Sequence, residues 1–397
     1  MLSKFLSDGF PPILLGGGLG DRTANRFKTE LRQWWKTPSV SPVPGGRPEW
    51  RVTSRCEEWV VCFLGSFAKG NPTHLVLLLD DRAVGTAVDM KASVSIIEDA
   101  FRRHANGETL MPKRLHLAPD RMKGGLRIMP AALLGRRAVG FKTISGQPGS
   151  RRPGSTYFLV VLFDPDDGSL LSIMAADTIT RLRTGAASGV ATRYLAREDS
   201  QTLGIYGAGV QARTQLEGVA SVRPIRRVKV YDVSKERLEA FRREMSAKFG
   251  IDITATGDAS EPASADIVVT ATTSDKPFLM SRWVRAGTHI NAMGANAPTK
   301  SEIDPGLMKR AKIFVDFKEQ VLAEAGDIIN VIKSGELNET EISAELGELV
   351  VGAKEGRNSA EEVTLFKSVG VAIEDLALAL EVYERARKLG IGREVTL

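Results

Sequence analysis

The stretch Leu203-Gly-Ile-Tyr-Gly-Ala-Gly-Val-Gln-Ala212 constrains this chain more than any other. It reads as the end of a buried strand, a glycine turn and the first turn of a helix. Gly207, Gly209 and Ala212 fill the three small positions of a G-x-G-x-x-G/A fingerprint. Such a motif needs a glycine for the tight turn, a second where a pyrophosphate approaches the backbone, and a small residue for close helix–strand packing. The free amides at the helix start then face the phosphates, where the helix dipole favours negative charge. Gly207, Ala208, Gly209, Val210, Gln211 and Ala212 are therefore candidate cofactor-binding residues. A glycine turn alone is weak evidence, but here a second apolar run, Val228-Lys-Val-Tyr231, ends in Asp232. That acid stands about 20 residues on, where one should sit to bind the adenosine ribose. It favours NAD; Lys235 and Arg237 lie near enough to leave NADP open.

Strands and helices alternate around the motif. Leu203–Tyr206, Val228–Tyr231, Asp266–Ala271, His289–Met293 and Ile313–Asp316 read as strands, with helices over Val210–Val219 and Lys235–Phe249. The pattern predicts an α/β fold, a Rossmann-type doubly wound parallel sheet. Upstream the pattern changes. Leu75–Leu79 is a short apolar run that reads as a strand; Arg114–Leu117, Gly125–Met129 and Ala138–Ile144 alternate as antiparallel strands do, and Thr156–Phe163 and Leu170–Met174 read as two more strands around a turn. Asp89 looks like the N-cap of a helix over Met90–Ala105. A small-residue helix, Thr178–Ala196, joins the two regions, and Val371–Leu389 is amphipathic. The expected organisation is a mixed α+β substrate and dimerisation domain (75–182 with 365–397) and an NAD(P)-binding domain (183–364). Residues 1–74 hold no persistent period, and read as a poorly ordered extension.

Bulk properties exclude several classes. The net charge of +6 on 397 residues is modest, and no basic run is interleaved with aromatics, so no nucleic-acid partner is expected. No apolar run reaches bilayer length, so no membrane partner is expected. Two cysteines, Cys56 and Cys62, make no disulfide framework and suit a reducing compartment, with the cytoplasm expected. The four histidines are scattered, and no metal site is expected.

Charged residues inside the antiparallel strands are the next signal. Arg114, Arg127 and Lys142 lie on strands, and Arg183 lies among small residues of the linking helix. Each alone could pair with an acid across the sheet. Four in successive elements beside a nucleotide fold suggest a carboxylate site, since arginine grips carboxylates bidentately and a buried lysine can exchange protons. A nicotinamide beside a carboxylate site suggests redox chemistry on an amino or 2-oxo acid.

Seven motifs together resemble one family: Met111-Pro-Lys-Arg114, Leu126–Pro130, Gly140-Phe-Lys142, Thr178–Ala187, Gly207–Ala212, Gly287–Ala292 and Thr364–Gly370. They resemble the ornithine cyclodeaminase/mu-crystallin family over about Leu75–Gly392. The resemblance implies a two-domain homodimer acting on a small amino acid or imine. It implies that Arg114, Lys142 and Arg183 hold the substrate carboxylate and assist proton movement. Arg127 matches an arginine of the alanine dehydrogenase-like members. It further implies that Thr184, Thr272, Met293 and Ser368 contact the cofactor. Two departures stand out. Asn296 occupies a position where cyclodeaminases and alanine dehydrogenase-like members carry Asp, and an amide cannot serve as a general base. Gln147-Pro-Gly-Ser150 replaces a frequent His-Pro-x-Asn.

Three readings compete. In the first, the chain moves hydride between NAD(P) and the α-carbon of an amino acid or its imine. Arg114 and Arg183 orient the carboxylate, Lys142 carries the proton and Asn296 positions substrate or water. In the second, it is an ornithine cyclodeaminase that makes proline and ammonia with catalytic NAD. In the third, it is a mu-crystallin-like binding protein.

Overall fold

The computed structural model describes residues 75–118, 124–146 and 156–396. The expected extension 1–74 with Cys56 and Cys62, and the Gln147–Ser150 departure, lie outside the described residues.

Two sheets build the described chain. The first contains β1 (Leu75–Leu79), β2 (Thr109–Leu110), β3 (Leu115–Leu117), β4 (Gly125–Leu133), β5 (Ala138–Gly146), β6 (Thr156–Phe163), β7 (Leu170–Ala175) and β16 (Arg393–Thr396). Its order is β16-β1-β7-β6-β5-β4-β2, with β3 also on β4. All pairs are antiparallel except β1 with β7. Residue parity decides the faces. Met129, Ala131, Leu133, Val160, Leu162 and Met174 point inward and are buried. Lys142 sits in the same inward row, between Met129 and Val160. On the other face Val139, Leu159 and Tyr157 are exposed, and the Phe141 and Phe163 rings meet at 6.1 Å.

Helices α1 (Asp81–Ala87) and α2 (Met90–Ala105) follow β1. The expected cap is present: the Asp89 carboxylate accepts from the Ala92 amide at 2.8 Å. Helix α3 (Asp177–Leu195) crosses the expected 182/183 domain boundary without a break. Its glycines allow close approach to α4 (Val210–Ala220): a Cβ on Gly218 would lie 1.9 Å from the Gly185 carbonyl.

The second sheet is wholly parallel, in the order β10-β9-β8-β11-β12-β15-β13-β14. These strands are β8 (Thr202–Tyr206), β9 (Arg227–Tyr231), β10 (Asp252–Ala255), β11 (Ile267–Thr270), β12 (His289–Ala292), β13 (Lys312–Val315), β14 (Ile342–Glu345) and β15 (Thr364–Lys367). The doubly wound order reverses at β8, flanked by β9 and β11, and such switch points bind nucleotides. Helix α5 (Lys235–Phe249) lies between β9 and β10. Strand β15, the last of this sheet in sequence, inserts between β12 and β13, so the sheet extends to Lys367, beyond the expected boundary at 364. Two apolar residues between a threonine and a lysine gave no strand signal. Burial of Lys367 is offset by its pair with Asp327 at 3.0 Å.

Shorter helices α6 (Pro305–Arg310), α7 (Lys318–Glu324), α8 (Gly326–Lys333) and α9 (Leu346–Val350) fill the later connections. Helix α10 (Ala372–Leu389) then returns to the first sheet and buries Ile373, Leu376, Leu380 and Val382. One core cluster joins Val160 and Met174 of the first sheet to Phe314 and Phe366 of the second.

Candidate active site

A cavity of about 380 Å³ opens between the two sheets. Three groups of residues line it. Gly209, Val210 and Gln211 come from the glycine turn and the start of α4. Thr272, Met293, Gly294 and Asn296 follow β11 and β12, and Ser368, Val369 and Gly370 follow β15. Arg114, Arg127, Met129, Ile144, Phe158, Arg183 and Thr184 come from the first sheet and α3. The cavity thus brings together most of the expected site residues. Among the described residues no Asp or Glu side chain lines it, while Arg114, Arg127, Arg183 and Lys300 do.

The glycine turn fits a dinucleotide. Gly207 has φ of +96°, and a Cβ there would lie 2.5 Å from the Ala271 carbonyl. A Cβ on Gly209 would meet nothing within 4 Å. The protein itself does not demand glycine at 209; a phosphate approaching the backbone would. No side chain caps the start of α4, so its first amides are free for an anion. Ala208 and Ala212 are buried behind the turn. Asp232 ends β9 as expected, but it is already engaged. Its carboxylate accepts from the Ala208 and Ser234 amides, each at 2.7 Å, and pairs with Arg237 at 3.1 Å. A carboxylate has about four acceptor positions, so room remains for a ribose hydroxyl.

The cations are held by acids that the sequence did not single out. Arg183 donates to Glu374 at 2.7 Å and lies 3.2 Å from Asp375. Lys142 donates to the same Asp375 oxygen at 2.6 Å. Arg114 lies 3.0 Å from Glu324 and donates to the Gly370 carbonyl. Asp316 fixes that carbonyl's residue by accepting from the Gly370 amide at 2.7 Å and from the Ser368 hydroxyl at 2.8 Å. Arg127 and Lys300 make no ion pair within 4 Å among the described residues.

Lys142 is fully buried beside Asp375 and is not part of the cavity lining, which differs from its expected place at the substrate. Lys142 shares the inner face of β5 with Ile144, which does line the cavity, but its ammonium is taken by Asp375 of α10. Burial pulls its ammonium down to about 8, although Asp375 acts in the opposite direction. Burial pushes Glu374 up to about 7, against the pull of Arg183. Burial also works against the Arg183 charge, but Asp375 and Glu374 outweigh it and its pKa is raised. Arg183 has both acids and Lys142 chiefly one, so the same cluster shifts the two cations in opposite directions. Two carboxylate atoms in the cluster, Glu374 Oε1 and Asp375 Oδ2, are buried without a hydrogen-bond partner.

Glu374, Asp375, Asp316, Glu324 and Lys300 were not legible as site residues. Two acids in the first turn of an amphipathic helix look like ordinary dipole partners. Their only sequence signal was adjacency to the Thr364–Gly370 motif.

A family model described as the ornithine cyclodeaminase/mu-crystallin family matches residues 75–390. An alanine dehydrogenase of Archaeoglobus fulgidus is 40% identical over 323 residues, 80% of this chain and 98% of that protein. The solved structure of Delta(1)-pyrroline-2-carboxylate reductase of Thermococcus litoralis, in complex with NADH and L-proline, is 42% identical with a TM-score of 0.78. That match covers 81% of this chain and 100% of the other. An archaeal alanine dehydrogenase dimer with bound NAD is 38% identical with a TM-score of 0.77, covering 81% and 99%.

Proposed function

The chain belongs to the ornithine cyclodeaminase/mu-crystallin family, and from that premise we propose that it is an NAD-dependent oxidoreductase acting on a small amino acid or its imine. What supports this reading is a cavity shared by the glycine turn and three arginines, with no carboxylate among the described residues of its lining. Bound NADH supplies the hydride for the substrate α-carbon. Arg114, Arg127 and Arg183 bind the substrate carboxylate, and Met129, Ile144 and Phe158 give its carbon skeleton an apolar wall. Lys142 starts behind the cavity wall, held by Asp375 beside Arg183, and carries the proton if its ammonium turns from Asp375 into the cavity when substrate binds. Asn296 positions the substrate nitrogen or a water by hydrogen bonds. The glycine turn, Thr184, Thr272, Met293 and Ser368 hold the cofactor, with Asp232 at the ribose.

The same lining disfavours ornithine. A side-chain ammonium in this cavity would share it with Arg127 and Lys300 and with no acid among the described lining residues, and Asn296 cannot take a proton from water. Spectrophotometric assay of NADH consumption with Delta(1)-pyrroline-2-carboxylate, and with pyruvate plus ammonium, tests the reading. Binding of NADH without turnover on any imine or amino acid would favour a binding protein instead.

Cofactor choice follows from Asp232. A carboxylate binds ribose hydroxyls and repels a 2′-phosphate. NADH is expected to give the higher kcat/KM, and Asp232→Ala to weaken NADH more than NADPH. A preference of the wild type for NADPH would show that Arg237, released from Asp232, governs the site.

The homodimer belongs to the same proposal. The outer face of the first sheet offers Val139, Phe141, Leu159, Val161 and Phe163, a half-exposed apolar surface suited to a second copy. The archaeal alanine dehydrogenase neighbour is a dimer. Among the described residues no helix is long and apolar enough to cross a membrane. A cytoplasmic location is proposed because it supplies NAD(H) and a reducing environment.

A further inference from the structure

Glu302 is fully buried and does not line the cavity, yet it binds two segments that do. One carboxylate oxygen accepts from the Thr272 amide and the Thr272 hydroxyl, each at 2.7 Å. The other accepts from the Thr270 hydroxyl and the Gly294 amide, each at 2.8 Å. Thr272 follows β11 and Gly294 follows β12, so one side chain ties together two neighbouring strand ends. The approach is tight: a Cβ at 294 would lie 2.3 Å from the carboxylate.

Glu302 is itself held from behind. Asp327, also fully buried, accepts from the Glu302 amide at 2.7 Å, the Ile303 amide at 3.1 Å and the Ser301 hydroxyl at 2.9 Å. Lys367 of β15 pairs with the other Asp327 oxygen. Burying two carboxylates and one ammonium is unfavourable by several kcal/mol per ion before pairing, and an apolar filling would serve packing alone. What the ions add here is direction. Every acceptor position of Glu302 is used on a residue at the ends of β11 and β12.

We propose that Glu302 is a positioning residue for the redox site, whose buried carboxylate, set by Asp327 and Lys367, locks the turns at Thr272 and Gly294 where they face the cofactor and present Asn296. The proposal rests on the cofactor reading above. Glu302→Gln tests it, because the amide keeps the volume but turns an NH₂ toward groups that are themselves donors.

Three measurements are made on the full chain: NADH dissociation constant by fluorescence titration, kcat with Delta(1)-pyrroline-2-carboxylate, and the deuterium isotope effect with 4-deuterated NADH. In Glu302→Gln, NADH affinity should fall and kcat drop by roughly tenfold or more, as expected for misplaced reacting groups. The isotope effect should grow, because a poorly aligned hydride step becomes limiting; a loss of stability alone would not raise it. Thr270→Val removes one of the four bonds without touching the cavity lining. It should shift the same three readouts in the same direction by less, and it carries the test if Glu302→Gln does not fold. Wild-type affinity, kcat and isotope effect in a folded Glu302→Gln, or in Thr270→Val if that alone folds, would overturn the role of Glu302. A wild-type protein that binds neither NADH nor NADPH would instead overturn the cofactor reading, and the proposal with it. NADH binding without turnover would leave the affinity readout to decide on Glu302.

Discussion

Replacing Lys142 with methionine should lower kcat for imine reduction by roughly 10²-fold or more, the size of a lost general acid. NADH binding should stay near the wild-type value, since Lys142 belongs to the first sheet and the glycine turn to the second. Methionine preserves most of the packing against Met129 and Val160 and leaves Asp375 with Arg183 as a partner. The pH dependence gives an independent check. With the ammonium near 8, reduction needs the protonated form, so kcat/KM should fall above about pH 8. Oxidation of the amino acid needs the free amine and should rise through the same range. Stability carries the same signature. The native lysine sheds its proton near 8 and the unfolded one near 10.5, so the unfolded chain binds more protons between these values. Lys142 therefore contributes a stability that rises with pH across that window, and Lys142→Met should flatten the slope. A fully active Lys142→Met would remove the proton-carrying role from this residue.

Asp375→Asn should have the largest effect on stability. One Asp375 oxygen serves both Lys142 and Arg183. Removing one partner from a buried ionic cluster typically costs about 3–5 kcal/mol, because the remaining charges lose their compensation. Glu374 still holds Arg183, so Lys142 loses most. Asp375 also raises the Lys142 pKa, so its removal should lower the inflection of the pH–rate profile below that of the wild type. Thermal unfolding and a pH–rate profile measure the two effects. The double variant Lys142→Met/Asp375→Asn should lose less stability than the sum of the single ones, since both remove the same pair. Additive losses would mean that the two side chains do not act as a pair.

The parts of this molecule visible in the sequence are those with local causes. A positive φ at Gly207 and close packing at Ala212 demand small residues at fixed spacing, and the chain shows them. Parity along β5 and β6, and the Asp89 cap, are equally local. Arginines on half-buried strands were visible as anomalies, and the fold gathers Arg114, Arg127 and Arg183 around one cavity. What stayed hidden depends on distant partners. Asp375 meets Lys142 across 233 positions, and Glu374 meets Arg183 across 191. Glu302 and Asp327 lie in connections where an acid gives no sign of burial. Strand β15 was hidden because its lysine is neutralised by an aspartate from another element. The inward direction of Lys142 was predictable from parity, but its distance from the cavity surface depends on where α10 packs.

In the proposed reaction hydride passes between nicotinamide and the substrate α-carbon, with net oxidation or reduction of the cofactor. Incubation with NADH deuterated at C4 on the transferred face and Delta(1)-pyrroline-2-carboxylate, followed by mass spectrometry of the product, tests it most directly. The expected product is proline carrying one deuterium at Cα, with one NADH consumed per proline formed. Unlabelled product, or proline formed from ornithine with no net change in NADH, would contradict it.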